Sequence, residues 1–520
     1  MIDSRDSVDK VDYAEKVPSI LGEAEVELPH GDAAEDSLEL GPSPPKEEVQ
    51  DPDLVTWESD DDPRNPLNWS MKAKWGVTLL MSAFSMITLI SSSMIAPALQ
   101  DISKDLHITS DAQTQLTMSI FVLAYAIGPL IIAPLSETYG RKPVLQIANL
   151  LYLIWNITCG FAKSKSLMIA ARFLAGMGAS APYGIGGGVL GDCWRPEQRG
   201  VSLGIYSFVP LLGPAIGPII GGYVAEKTTW RWIFWSTSIF DGALQVATVF
   251  LFWETHGPTI LHKKAKKLRK ATGNTRLHTV FERPDQSIFK TLKISLTRPF
   301  RLLATHPIIQ LISLYSAYNF GTLYIVLSTF PVLWTTRYHE SVSSSGLNYI
   351  ALVIGFTFGS QVGARATDRI WRHVQRSKSE HKVALVPELR VPLMLPGAIF
   401  IPAGLFIYGW SAQYHTHWIV PNIGVAIFGA GTQVSTQCMT SYIVDAYPHY
   451  TASAIAASAV LRSVTGFGFP LFAPALYAAL DYGWGNSLLA FIAISLGIPA
   501  PYLLWKFGAR LRARCKDLDM

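Results

Sequence analysis

An α-helix needs about twenty consecutive apolar residues to cross the roughly 30 Å hydrocarbon core of a bilayer, and this chain supplies such windows in series. They run Trp75–Leu99, Thr114–Leu135, Pro143–Phe161, Leu167–Leu190, Val201–Val224 and Trp232–Trp253. After a polar break come Ile308–Trp334, Leu347–Ala366, Val391–Tyr408, Ile419–Ile443, Ser453–Leu476 and Leu488–Leu504. One such window is compatible with a buried helix of a soluble enzyme; twelve, joined mostly by short connections, predict a membrane bundle. Composition agrees, because 16 % charged residues against 49 % hydrophobic ones falls well below the about 25 % charge of a soluble domain.

Charge is distributed unevenly. Met1 to Ser70 holds 20 Asp+Glu and 5 Lys+Arg, whereas the remainder holds 19 and 38. The first stretch is poor in aromatics and carries Gly41-Pro42-Ser43-Pro44-Pro45, so it cannot bury enough apolar area to offset its ordering entropy. Residues 1–70 are therefore expected to be a disordered acidic tail, with Trp69 at the membrane interface. A six-helix bundle is expected over 71–254, a basic loop over 255–303, a second bundle over 304–507 and a short tail over 508–520. No cleavable signal peptide precedes the first window, which is expected to direct insertion itself. Thr255–Arg301 carries 12 Lys+Arg against 2 acids, Thr367–Arg390 carries 6 against 3, and five more bases follow from Lys506. The positive-inside rule places these connections, and both termini, in the cytoplasm.

Glycine and proline mark the fifth window: Gly204, Gly213, Gly217-Pro218 and Gly221, with Pro210, Pro214 and Pro218 four residues apart. Glycines at that spacing admit a neighbouring backbone, and the prolines bend the helix. Gly355, Gly359 and Gly363 form a plainer packing ladder. An internal repeat is suggested by Gly128 preceding Glu137 by the same nine residues that separate Gly359 from Asp368-Arg369.

Charges within apolar windows are costly and usually face the bundle interior or water. Arg172, Asp241 and Arg462 are such charges, each either a structural ion-pair member or part of a coupling path. Asp241 is the candidate proton carrier, since a carboxyl group removed from water can load and release a proton. Glu137 and Arg141, with Asp368 and Arg369 in the second half, are candidates for a conformational latch. Tyr125, Tyr183, Tyr206, Tyr315, Tyr318, Asn319, Gln433 and Gln437 are candidate cavity residues, suited as a set to bulky organic solutes.

Enzyme signatures are absent: the chain has no G-x-x-x-x-G-K-[ST], no H-E-x-x-H and no G-x-S-x-G. Cys159, Cys193, Cys438 and Cys515 form no C-x-x-C pair and are expected to be inert, with no metal site. The basic run Lys263 to Lys270 suits anionic lipid heads more than nucleic acid. No cofactor is expected beyond a coupling proton.

The motifs together resemble those of the major facilitator superfamily, and within it the fungal twelve-helix drug:proton antiporters of DHA1 type. The glycine pattern of the fifth window resembles that family's antiporter motif. Arg172-Phe173-Leu174-Ala175-Gly176-Met177-Gly178 resembles its fourth-helix motif, whose Arg is linked to proton coupling. Ala133 to Lys142 resembles its loop motif, departing from it at Glu137 and Thr138. Glu254-Thr255-His256-Gly257-Pro258, Pro387-Glu388-Leu389-Arg390-Val391-Pro392, Asp445-Ala446-Tyr447 and Phe469-Pro470-Leu471-Phe472 resemble the fungal branch. The resemblance implies an all-α membrane protein of twelve transmembrane helices in two pseudo-symmetric six-helix bundles. It also implies a monomeric, proton-coupled exporter of drugs, toxins or self-made metabolites in the plasma membrane. A proton-coupled importer of the same fold is one alternative. A transporter-like receptor whose acidic tail recruits a protein partner is another.

Overall fold

The computed structural model describes Asp51 and residues 53–516, apart from 196–197, 282–287, 378–386 and 448–450. Helices α1 (Met71–Ser93), α2 (Leu99–Asp105), α3 (Asp111–Tyr139), α4 (Arg141–Gly160), α5 (Lys165–Ala179), α6 (Ala181–Cys193), α7 (Arg199–Leu211), α8 (Gly213–Lys227) and α9 (Arg231–Leu251) form the first bundle. Two surface helices follow, α10 (Gly257–Thr272) and α11 (Ile288–Thr305). The second bundle holds α12 (Pro307–Thr336), α13 (Val342–Leu347), α14 (Ile350–Ser377), α15 (Met394–Gln413), α16 (Ile419–Ala446), α17 (Thr451–Gly497) and α18 (Pro499–Lys516). The last helix thus runs past residue 507, where a tail was expected to begin. The face carrying α10 is called the basic face below.

Among the described residues, nine helical stretches are long and apolar enough to cross a membrane, fewer than the twelve windows. One of them, Ser453–Arg512, has 60 residues. At 1.5 Å per residue it would be about 90 Å long if straight. It reverses instead at Asp481, whose φ is 53° and ψ −175°. Arg337 clamps that corner through the Asp481 carboxylate. The fourth window is split at Ser180 into α5 and α6, of 15 and 13 residues. Helix α16 carries Asn422, Thr432, Gln433, Ser435, Thr436 and Gln437, which dilute its hydropathy. Large apolar side chains such as Ile147, Leu150 and Ile154 on α4 and Val246 and Phe250 on α9 are exposed, as lipid-facing stripes require.

Glycine sets how the helices meet. A Cβ at Gly213 would sit 2.7 Å from Leu89 Cβ, at Gly217 2.9 Å from Ile90 O, and at Gly221 2.0 Å from Met94 O, so α8 lies directly on the α1 backbone. Gly355 and Gly359 bring α14 equally close to the Ala426 and Ala430 carbonyls of α16. Gly128 plays the corresponding part between α3 and α5, meeting Ser180 and Met177 O, so the Gly128 and Gly359 positions share a packing role in the two halves.

The stretch from Asp53 to Ser70, expected to be disordered, instead makes specific contacts on the basic face. Val55 N donates to His278 O (2.7 Å) and His278 N to Asp53 O (2.9 Å). Lys264 of α10 pairs with Glu58 (3.2 Å), and Asn274 donates to Asp53 (2.9 Å). Asp62 accepts from the Glu58 and Arg64 amides (3.1 and 2.9 Å), Asn65 caps the short turn Pro66–Asn68, and Lys74 donates to Leu67 O (2.8 Å). Trp69 stacks edge-on against Trp253, 5.9 Å between centroids. Low apolar content did not decide the outcome here, because acids meet a basic helix and Asp and Asn side chains satisfy the turn's backbone.

Gly221→Ala will press a methyl group into a carbonyl of α1 and should cost about 1–3 kcal/mol as an overpacking substitution. Gly204→Ala, where no atom lies within 4 Å of the new Cβ, should be neutral. Thermal unfolding of the two variants in detergent checks the contrast.

Candidate functional site

Arg172 of α5 is fully buried inside the first bundle. Its Nε donates to Thr117 O (3.2 Å) and its Nη1 to Ser91 O (3.1 Å), while Phe121 and Phe234 lie 4.3 and 5.8 Å from the guanidinium. Asp241 of α9 is also fully buried and accepts one bond from Asn149 Nδ2 (3.1 Å). The second oxygen, Oδ1, has no partner among the described residues, and neither does Arg172 Nη2. The two charges therefore form no ion pair with each other. Between them Tyr152 shares a hydrogen bond with Ser91 (2.6 Å) and has Asp241 and Arg172 as electrostatic neighbours. The result is a polar string, Asp241, Tyr152, Ser91, Arg172, in which a buried carboxylate lacking a cation would be an expensive anion.

The basic-face corner is built differently from the expected latch. Glu137 is exposed and makes no ion pair among the described residues, and the side chains of Asp368 and Arg369 lie outside them. Arg141 is the centre. It pairs with Asp192 at the end of α6 (3.3 Å) and donates to Ser136 (2.7 Å), while its amide donates to Glu254 (2.8 Å). Gly140, at φ 100°, is required twice over, by its backbone and because a Cβ would lie 2.4 Å from the Glu254 carboxylate. The second half repeats the device with other residues: Arg390 pairs with Asp445 (2.9 Å) and Glu388 with Arg512 (2.8 Å). Asp192 and Glu254 were missed as partners. Their signal was each acid's place at the end of an apolar window, Glu254 opening a motif already singled out.

His256 stands beside this corner, sharing a hydrogen bond with Thr259 (2.8 Å). Burial, with Arg141 nearby, pushes its imidazole down from 6.5 to about 4. The unfolded chain binds that proton first as pH falls. Stability is therefore full above about pH 6.5 and is lost progressively toward about pH 4. Melting temperature measured across that window should fall in the parent and fall less in His256→Gln. Gly140→Ala should destabilise by about 1–3 kcal/mol through its strained backbone, with Asp192→Asn loosening the same corner; thermal unfolding measures both.

Between the bundles, Tyr125 (α3) and Tyr183 (α6) lie 5.8 Å apart, and Tyr125 donates to Thr88 O (3.2 Å). Tyr206 (α7) donates to Pro182 O (2.7 Å). Across from Tyr183 stands Arg462 of α17, whose guanidinium lies 5.0 Å from the Phe320 ring of α12. A charge at mid-membrane depth costs about 2.5–3.5 kcal/mol even by the lowest estimates, and a cation–π contact returns about 0.5–2 kcal/mol. The ring contact alone leaves a deficit. Other expected cavity residues lie elsewhere. Tyr315 bonds Ser435 (3.4 Å) and Tyr318 donates to Leu489 O, both inside the second bundle. Asn319 is buried with neither amide atom bonded among the described residues. Gln433 is half-buried, and Gln437 lies against Gly363 in the α14–α16 seam.

Toward the basic face, α6 borders unfilled space among the described residues. Gly187 and Gly191 follow Tyr183 at one-turn intervals, and no atom lies within 4 Å of a Cβ at either. Toward the opposite face the space between the bundles is closed by α8 against α13, where a Cβ at Gly222 would lie 2.7 Å from Val342 O, a Cβ at Gly346 would lie 2.8 Å from Pro218 O, and Ser343 N donates to Glu226 (2.8 Å). Outside that closure lies a separate cleft of about 460 Å³, lined by Gln100, Asp101, Lys104, Gln115, Thr335 and Tyr477 among others and by none of the expected cavity residues.

Residues 81–470 match the Major Facilitator Superfamily. The efflux pump vrtL of Penicillium aethiopicum is 46 % identical over 492 residues, 94 % of this chain and 97 % of that protein. The MFS-type transporter penM of Penicillium rubens is 39 % identical over 486 residues, 92 % and 94 % of the two chains. Among solved structures, the proton:xylose symporter XylE bound to 6-bromo-6-deoxy-D-glucose has a TM-score of 0.61 at 16 % identity, covering 84 % of this chain and 96 % of that one, a likeness of fold. Family match, close relatives and the two-bundle architecture agree: the chain belongs to the Major Facilitator Superfamily.

Proposed function

We propose that the protein is a secondary transporter that exports small organic molecules in exchange for protons. The observation that carries this reading is the space between the bundles, walled by Tyr125, Tyr183 and Arg462, unfilled beside α6 toward the basic face and shut at the α8–α13 seam. A solute loads from the basic face, and rocking of the bundles breaks the seam and closes the entry. The positive-inside rule makes the basic face cytoplasmic, so loading there means export. Both termini share that side, and the protein works as a monomer in the plasma membrane. Relatives named efflux pumps support the direction.

Coupling is assigned to the Asp241–Tyr152–Ser91–Arg172 string. A proton on Asp241 removes the cost of an anion facing one amide, and its release restores that cost, so the bundle's internal energy depends on proton loading. Arg141 with Asp192, and Arg390 with Asp445, hold the basic-face corners rigid while the bundles rock. The acidic N-terminal segment recruits a protein partner in this scheme. No catalytic step is assigned.

Efflux from sealed vesicles with and without a pH gradient tests the proposal. Export should collapse with a protonophore, and Asp241→Asn should lower gradient-driven flux by about tenfold or more, a barrier change of about 1.4 kcal/mol. Flux that survives Asp241→Asn would remove that carboxyl group from the coupling path. Uptake driven by the gradient would replace export by import.

A further inference from the structure

Five arginines near the two faces have carboxylate partners: Arg141 has Asp192, Arg390 has Asp445, Arg512 has Glu388, Arg337 has Asp481 and Arg231 has Asp105. Arg172 has two carbonyl oxygens. Arg462 has neither. Among the described residues its guanidinium makes no hydrogen bond and no ion pair, its buried Nε stands unpartnered, and its electrostatic neighbours are the phenols of Tyr183 and Tyr324. Neither phenol supplies a negative charge.

Position adds to chemistry. Arg462 lies eleven residues into α17, about 16 Å from its basic-face end at 1.5 Å per residue. Gly466, one turn further and on the same side of the helix, is where the bundles touch: a Cβ there would meet Phe320 at 2.9 Å and Val122 of α3 at 3.1 Å. Arg462 thus sits just beneath the roof of the inter-bundle space. Below it, Gly187 and Gly191 border unfilled space toward the basic face. A solute entering by that route ends its path at an uncompensated cation, with Tyr183 on the facing wall and Phe320 and Tyr324 on the near one, 4.9 Å apart by ring centroids.

We propose that Arg462 is the anion-binding residue of the transport site and that the transported class is aromatic organic anions, carboxylates or phenolates on flat ring systems. The guanidinium fork pairs with a carboxylate through two parallel bonds, and the Tyr183 and Phe320 rings provide stacking surfaces for the body of the solute, with the buried Tyr324 backing Phe320. The missing counter-charge arrives with the substrate. This assignment rests on the export reading above for its direction, but the binding chemistry stands on its own.

The test uses the full chain in lipid nanodiscs and two probes of equal shape, 9-anthracenecarboxylate and its methyl ester, with binding followed by fluorescence. The parent protein should bind the acid about tenfold or more tightly than the ester, the range expected for a hydrogen bond to a charged group. Arg462→Gln should abolish that preference by weakening binding of the acid far more than that of the ester, and Arg462→Lys should keep part of it. Equal binding of acid and ester by the parent, or an undiminished preference in Arg462→Gln, overturns the proposal. Should Arg462→Gln fail to fold, the parent comparison and the Lys variant carry the decision. Proteoliposome flux separates the two readings. Discriminating binding without gradient-driven movement of either probe removes export and leaves the site; movement of both without discrimination removes the site and leaves export.

Discussion

Helix α8 lies on the bare carbonyl groups at the end of α1, and the packing of the first bundle follows from that contact. Gly213, Gly217 and Gly221 bring the two backbones together over about two turns, so no side chain can slide between them. Lipid offers helices no hydrophobic reason to associate, which leaves close packing as the main source of cohesion. A helix held this tightly moves with its bundle. The opposite side of α8 meets α13 through Gly222 and Gly346, with one hydrogen bond from Ser343 to Glu226. In the proposed rocking of the bundles, the α1 flank of α8 stays joined and the α13 flank separates.

Charge pairs divide along similar lines. At the basic face, Arg141 with Asp192 and Arg390 with Asp445 tie the ends of neighbouring helices within one bundle, not across the two. They stiffen each half and leave the halves free to rock against each other. The pseudo-symmetry is thus more evident in what the corners do than in which residues do it, since Glu388–Arg512 in the second half answers an arrangement that uses the Glu254 carboxylate and backbone amides in the first.

Much of this was legible in the sequence because it depends on local spacing. The apolar windows, the glycines of α8 and the Gly355–Gly359 ladder are periodic along one helix, and a period survives without knowledge of the partner. Asp192 and Glu254 were not legible as partners of the Arg141 corner, since 51 and 113 residues separate them from it and only folding brings them together. Tyr315 and Tyr318 were read as cavity residues because an aromatic in an apolar window carries no mark of which way it points. Both turn into the second bundle, where Tyr315 shares a hydrogen bond with Ser435 and Tyr318 donates to Leu489 O. Asp53 to Ser70 misled for a different reason: its composition is that of a solvated tail, and its order comes from a basic helix two hundred residues away.

Arginine placement ties these observations to transport. A guanidinium paired with a carboxylate is electrically finished, and Arg141, Arg390, Arg512, Arg337 and Arg231 are of that kind. Inside the membrane the pattern changes: Arg172 is held by carbonyl dipoles and Arg462 by an aromatic ring, neither of which cancels a full charge. Asp241, the acid buried in the first bundle, faces Asn149 instead of either cation. Pairing Asp241 with Arg172 would have lowered the energy of a single resting state and fixed its protonation. Keeping them apart, with Tyr152 and Ser91 between them, leaves each charge in the proposed mechanism dependent on something that comes and goes, a proton for Asp241 and a solute for Arg462. A bundle whose interior charges are balanced only in passing has its preferred conformation set by what is bound, which is the condition for coupling two fluxes.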